Sequence, residues 1–203
     1  MTPDPNRRSI RLPNFDYASA GAYFVTICAY ERRLLFEDEN LAQIVRDEWS
    51  ALESRFAGIQ LDEFVVMPNH VHGIVWLVGA PLAGAQGRRG ASTLVNPTVD
   101  VETDVTLRAG ASPSPTLGAV VGAFKSRVAV RWLQWVKANA PGRSGRVWQR
   151  NYYERVIRNE SELARVREYI RYNPMKWDLD RENPGRRTDP QHERDWGWLE
   201  ARP

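Results

Sequence analysis

The stretch 64-FVVMPNHVHGIVWL-77, from Phe64 to Leu77, decides how the rest of the chain is read. It is apolar on both sides of Pro68-Asn69, a pair suited to a tight turn. It joins QLDEFVVM (60–67) to HVHGIVWLV (70–78) as strand, turn and strand. Two of the chain's three histidines nevertheless stand in the second strand. Alternate residues of a strand face one side. His70, His72, Ile74 and Trp76 therefore share one face, and Val71, Gly73, Val75 and Leu77 the other. Imidazoles so placed stand roughly 6–7 Å apart at the backbone, a span one metal ion can bridge. Imidazole suits Zn, Mn, Fe, Ni or Cu, whereas Mg prefers oxygen. The plain alternative is a pair of histidines satisfied by hydrogen bonds, although burying two such groups without use costs free energy. Two ligands leave a metal open, so a third must come from elsewhere.

Outward from this hairpin, AYFVTICAY (22–30) is β-branched and aromatic and reads as a strand. In NLAQIVRDEWSALESRF (40–56), Leu41, Ile44, Val45, Trp49, Leu52 and Phe56 recur at helical spacing, with Asn40 as the cap. Residues 79–113 turn to Gly, Ala, Ser, Thr and Pro without periodicity and read as a flexible insertion. A helix resumes at Pro115, with Ser114 positioned to cap it, and ends at Pro141-Gly142. RVWQRNYYERVI (146–157) reads as a short strand or irregular edge. Asn159 and Glu162 resemble a capping box ahead of a last helix, which Pro174 stops at Asn173. Residues 179–203 read as a polar, loosely held tail with a tryptophan anchor or two. The order β-α-β-β-insertion-α-β-α predicts an α+β fold: a ferredoxin-like antiparallel sheet with helices packed on it.

The bulk numbers agree with one domain at residues 1–178 and a tail. The chain has 203 residues, 42% hydrophobic and 10% aromatic, and a net charge of +3 too mild to name a partner. Its lone cysteine, Cys28, excludes an internal disulfide and predicts a reducing compartment. The N-terminus lacks an apolar signal core, and no apolar run approaches the ~20 residues that span a bilayer. A soluble, cytoplasmic protein is expected.

On the last helix, Tyr169 and Asn173 lie four residues apart on one face, with Arg165 before them. Leu163, Val166 and Ile170 form an adjacent apolar stripe. Taken alone, this helix permits a packing role for Tyr169 and a C-cap role for Asn173. Between Arg143 and Lys176 nine basic residues face four glutamates, and Trp148, Tyr152 and Tyr153 interleave them. Basic groups follow phosphates and aromatic faces take unstacked bases. A solvated helix face with i,i+4 pairs would look the same in charge alone.

Four blocks in order resemble the REP-associated tyrosine transposases, a branch of the single-tyrosine HUH transposases: RRSIRLPNFDYASAGAYFVTICAY (7–30), VVMPNHVHGIVWL (65–77), LGAVVGAFKS (117–126) and VWQRNYYERVIRNESELARVREYIRYNPMKW (147–177). The likeness spans residues 7–178 except the insertion. It implies the HUH endonuclease fold, with His70 and His72 as the metal pair. It further implies Tyr169 as nucleophile, in the context Tyr-Ile-x-x-Asn-Pro, and Asn173 as a further metal ligand, a place where some relatives carry glutamine. The implied cofactor is a divalent ion, Mg2+ or Mn2+. The implied partner is single-stranded or hairpin DNA of the repetitive extragenic palindrome type, handled by a monomer. Arg11, Lys125, Arg127, Arg146, Trp148, Arg150, Tyr152, Tyr153, Arg158 and Arg165 are the candidate DNA contacts. The implied activity is DNA nicking and strand transfer through a 5′-phosphotyrosine. Two rival readings stay open: a non-catalytic hairpin binder of the same fold, and a hydrolase that activates water without a tyrosine adduct.

Overall fold

A computed structural model describes residues 19–78 and 115–200. Arg11 and the insertion at 79–113 lie outside the described residues. Four strands form one antiparallel sheet in the order β2-β3-β1-β4: β1 (Gly21–Cys28), β2 (Ile59–Met67), β3 (His70–Leu77) and β4 (Tyr153–Ile157). The helices are α1 (Glu39–Ser50), the single turn α2 (Leu52–Arg55), α3 (Leu117–Asn139), α4 (Glu160–Tyr172) and α5 (Pro190–Glu200). The connection from β1 through α1 to β2 leaves room for β3 between them, and α3 returns the chain to β4 on the other side of β1. This is the split βαβ, ferredoxin-like arrangement expected from the sequence.

The period of two on β3 divides the core. Val71, Val75 and Leu77 join Tyr23, Val25 and Ile27 of β1 beneath α1 and α3, where Trp49, Phe124, Val128 and Trp132 close the layer. Gly73 stands on this face because Trp49 occupies the place of a side chain; a Cβ would meet its Cζ2 at 2.4 Å. On the opposite face Ile74, Ala22 and Phe24 pack beneath α4 and α5 against Leu163, Val166, Ile170, Trp196 and Leu199. The histidines belong to this second face.

The local signals hold with two shifts. Asp38, not Asn40, caps α1, its Oδ1 accepting from the backbone of Asn40 and Leu41 at 2.9 and 3.3 Å. A carboxylate at the N-cap also opposes the helix dipole. Thr116 caps α3 through its hydroxyl, displacing the start two residues past Pro115. At α4, Asn159 accepts from the Glu162 amide at 2.8 Å, as a capping box requires. The glutamate returns to the amide of Arg158 rather than of Asn159. The described part of the tail expected at 179–203, residues 179–200, is less loosely held than its composition suggests. Asn173–Leu179 form 3-10 turns, and α5 buries Trp196 and Leu199. Two large apolar side chains on one helix outweigh the polar composition around them.

Candidate metal centre and tyrosine

β3 delivers both histidines to one point. Their Nε2 atoms are 2.9 Å apart, and the rings meet edge to face. Two nitrogens each about 2.1 Å from one ion would stand ~3–3.4 Å apart, so the pair is already near the spacing of a shared cation. A neighbouring side chain sets the tautomer of His70. Asn69, fully buried in the turn, donates both Nδ2 hydrogens to carbonyls, of Glu182 at 2.7 Å and Arg32 at 3.2 Å. Its Oδ1 therefore faces His70 Nδ1 at 2.8 Å and accepts that proton, leaving the lone pair of neutral His70 on Nε2. His72 Nδ1 lies 2.9 Å from Thr26 Oγ1, on the paired residue of β1. A hydroxyl gives or takes a proton, so His72 can also present Nε2 as a lone pair. Burial drives the His72 pKa down to about 3. Burial first, then the charges of His72 and Arg32, drives His70 well below 6.5. Both rings are neutral at neutral pH, the form that ligates metals.

α4 brings the tyrosine to the same point. Tyr169 Oη is 3.5 Å from His72 Nε2, and its ring packs against Phe24, His72 and Trp196. Asn173 is buried at the C-cap of α4, and its Oδ1 has no hydrogen-bond partner among the described residues. It lines a small cavity together with Tyr169, Asp180 and His192. A buried amide oxygen without a partner is costly unless a cation or donor completes it. Two residues the sequence did not single out complete the site. Asp180 is buried with its Oδ2 3.6 Å from His70 Nε2 and its Oδ1 accepting from the Glu182 amide at 2.6 Å. His70, His72 and Asp180 offer three ligand atoms mutually within 4.8 Å, and all three residues are buried. Asn69 is the other. Its only sequence signal was its place before His70, where it read as a turn residue. The donor set therefore fits a divalent ion.

The candidate DNA contacts scatter. Arg127 donates to buried Glu48 at 3.0 Å, on the sheet face opposite the histidines. Lys125 holds the carbonyls of Gln149 and Arg150 at 2.7 and 2.8 Å. Trp148, half-buried, packs on Phe36 and Phe124, and half-buried Tyr152 packs against the α1–α3 layer. Tyr153 pairs with Thr26 at the edge strand. Arg146 is exposed over the Tyr30 ring, and Arg165 reaches the Asp195 carbonyl beside Trp198. Arg150 and Arg158 are exposed. Tyr169, Asn173 and the two histidines are thus brought together, while the contacts on α3 face away from them. Among the described residues no helix is long and apolar enough to cross a membrane.

No family model matches the chain. A solved REP-associated tyrosine transposase bound to a REP hairpin aligns with 82% of this chain and 74% of its own, at 18% identity and TM-score 0.49. A Deinococcus radiodurans R1 protein assigned as a transposase aligns with 79% of this chain and 95% of its own, at 18% identity and TM-score 0.40. An uncharacterised protein of Haemophilus influenzae strain Rd is 34% identical over 187 residues, covering 86% of this chain and 92% of that one. At that identity and coverage, the chain belongs to the same family as the Haemophilus influenzae protein.

Proposed function

We propose that the chain is a REP-associated tyrosine transposase: a metal-dependent nuclease and strand transferase that cuts single-stranded DNA at or near a palindromic hairpin. The observation that carries this reading is the convergence of a phenol from α4 and two neutral imidazoles from β3, with Oη 3.5 Å from His72 Nε2. A divalent cation, Mg2+ or Mn2+, held by His70, His72 and an oxygen ligand would polarise the scissile phosphodiester and offset charge in its transition state. Tyr169 supplies the nucleophile. Its oxygen bonds to phosphorus, the bond from phosphorus to the 3′-oxygen breaks, and the 3′-hydroxyl is released with a proton. The product is a 5′-phosphotyrosine, which keeps the bond energy and lets another 3′-hydroxyl reverse the step. A free phenol titrates near pKa 10, so its proton must leave as it attacks. Phe24 and Trp196 fix the ring in position for that attack. Exposed Arg146, Arg150 and Arg158 are suited to follow the DNA backbone, with Arg11 as a further candidate. In this reading the protein acts as a monomer in the cytoplasm.

The burial of the site favours a second reading, a hairpin binder without catalysis: Tyr169 is 5% exposed and His70 not at all. One experiment separates the two. Labelled hairpin DNA with a single-stranded flank is incubated with protein and Mn2+ and run on a denaturing gel. Wild type should give a shifted covalent band, and Tyr169→Phe and His70→Ala should give none. Tight binding with no adduct from wild type favours the binder, and an adduct that survives Tyr169→Phe removes the assigned nucleophile.

A further inference from the structure

We propose that Asp180, carried on the segment after α4, is the third protein ligand of the centre, in the place the sequence resemblance gives to Asn173. This rests on the metal reading above. Three observations support it. First, the Asn69 hydrogen bonds fix the lone pair of His70 on Nε2, and the Asp180 carboxylate oxygen faces that nitrogen at 3.6 Å. A lone pair and a carboxylate oxygen both present negative charge, so a cation between them turns repulsion into attraction. Second, the three ligand atoms lie within 4.8 Å of one another, inside the spread one ion can gather. Third, the Asp180 side chain is held in this orientation. Its other oxygen accepts from the Glu182 amide at 2.6 Å, and Glu182 is tied to Arg32 at 3.0 Å. Asn69 links the two halves, since it orients His70 with one end and grips the Glu182 carbonyl with the other.

The choice between Asp180 and Asn173 follows from charge. Two neutral imidazoles contribute no charge to a dication, and a carboxamide adds none. A carboxylate does, and a two-histidine, one-carboxylate set with open positions is a known arrangement for divalent transition metals. Asp180 lines the same small cavity as Tyr169 and Asn173. The buried Asn173 oxygen, which has no hydrogen-bond partner among the described residues, is then left to a water or a phosphate on the ion. Mn2+ should bind more tightly than Mg2+, because two of the three donors are nitrogen. The ion would also fasten the segment after α4, which carries Asp180, to β3.

The test is Mn2+ binding to the full chain, freed of metal and followed by titration calorimetry, without DNA. Asp180→Asn should weaken binding by about tenfold or more and Asn173→Ala by less than about threefold, with His70→Ala as the reference for a lost ligand. Wild-type affinity in a folded Asp180→Asn protein, or a larger loss in Asn173→Ala, overturns the assignment. Circular dichroism of the metal-free variants shows whether each is folded. Should Asp180→Asn not fold, wild-type crystals soaked in Mn2+ decide. An anomalous peak ~2.2 Å from an Asp180 oxygen upholds the proposal, and a peak bonded to Asn173 instead ends it. A wild type that binds no Mn2+ overturns it as well, together with the metal reading. The tyrosine adduct is scored separately, so loss of the nuclease reading and loss of this ligand give different results.

Discussion

At the scale of single residues, Asn69 carries more than its side chain suggests. It fixes the tautomer of His70 and satisfies two carbonyls from distant parts of the chain, those of Arg32 and Glu182. Asn69→Ala removes all three interactions and leaves buried groups without partners. It should cost about 3 kcal/mol in urea unfolding and weaken Mn2+ binding roughly 10–100-fold. A variant with unchanged affinity would mean the ring is oriented by packing alone. The sequence made this site half legible. The period of two on β3 put His70 and His72 on one face, and the period of α4 set Tyr169 beside Asn173. Asn69 and Asp180 were not legible. One lies in a turn and the other lies past the end of α4 in an irregular stretch, and neither carries a periodic signal. Their role appears only when residues far apart in sequence meet.

At the scale of elements, α1 and α3 are held together by one buried carboxylate. Glu48, 2% exposed, accepts from Arg55 at 2.6 Å, Arg127 at 3.0 Å and Arg131 at 3.0 Å. Burial alone would raise its pKa, but hydrogen bonds from Arg131, Arg127 and Arg55 outweigh that and hold it below 4.5. A carboxyl lowered by folding stabilises the native state above its unfolded pKa, and that contribution is lost as pH falls through the folded value. The melting temperature should therefore decline as pH drops below 4.5, and Glu48→Gln should decline less over the same window. Equal slopes for the two proteins would remove Glu48 from the account. This cluster also explains why the candidate cations of α3 could not be sorted from sequence. Arg127 and Arg131 find their carboxylate 79 and 83 residues away, and composition does not reveal which arginines are already paired. The strand and helix order was legible because the apolar periods are long and uninterrupted. The caps shifted because the side chains of Asp38, two residues upstream of Asn40, and of Thr116, just past Pro115, reach the first-turn amides; Ser114 lies outside the described residues.

At the scale of the whole molecule, the sheet has an apolar layer on each side, and the histidines and the tyrosine join only one of them. One face, under α1 and α3, is an apolar layer. The other holds the two histidines and the phenol beneath α4 and α5. His70, His72 and Tyr169 are 0%, 3% and 5% exposed, and Trp196 of α5 lies tilted against the tyrosine ring with centroids 5.5 Å apart. α5 buries few of its own side chains, chiefly His192, Trp196 and Leu199. Its amides should exchange with deuterium well before those of β3, and hairpin DNA should hasten that exchange while Mn2+ slows it. Uniform protection of α5 with and without DNA would mean the polymer enters by another route.

The depth of that phenol has a kinetic corollary. If the strand can meet the hydroxyl only after eleven residues swing aside, unmasking rather than bond cleavage governs turnover. Replacing a non-bridging oxygen by sulfur at the cut phosphate would then slow the overall reaction little, because the slow event precedes any change at phosphorus.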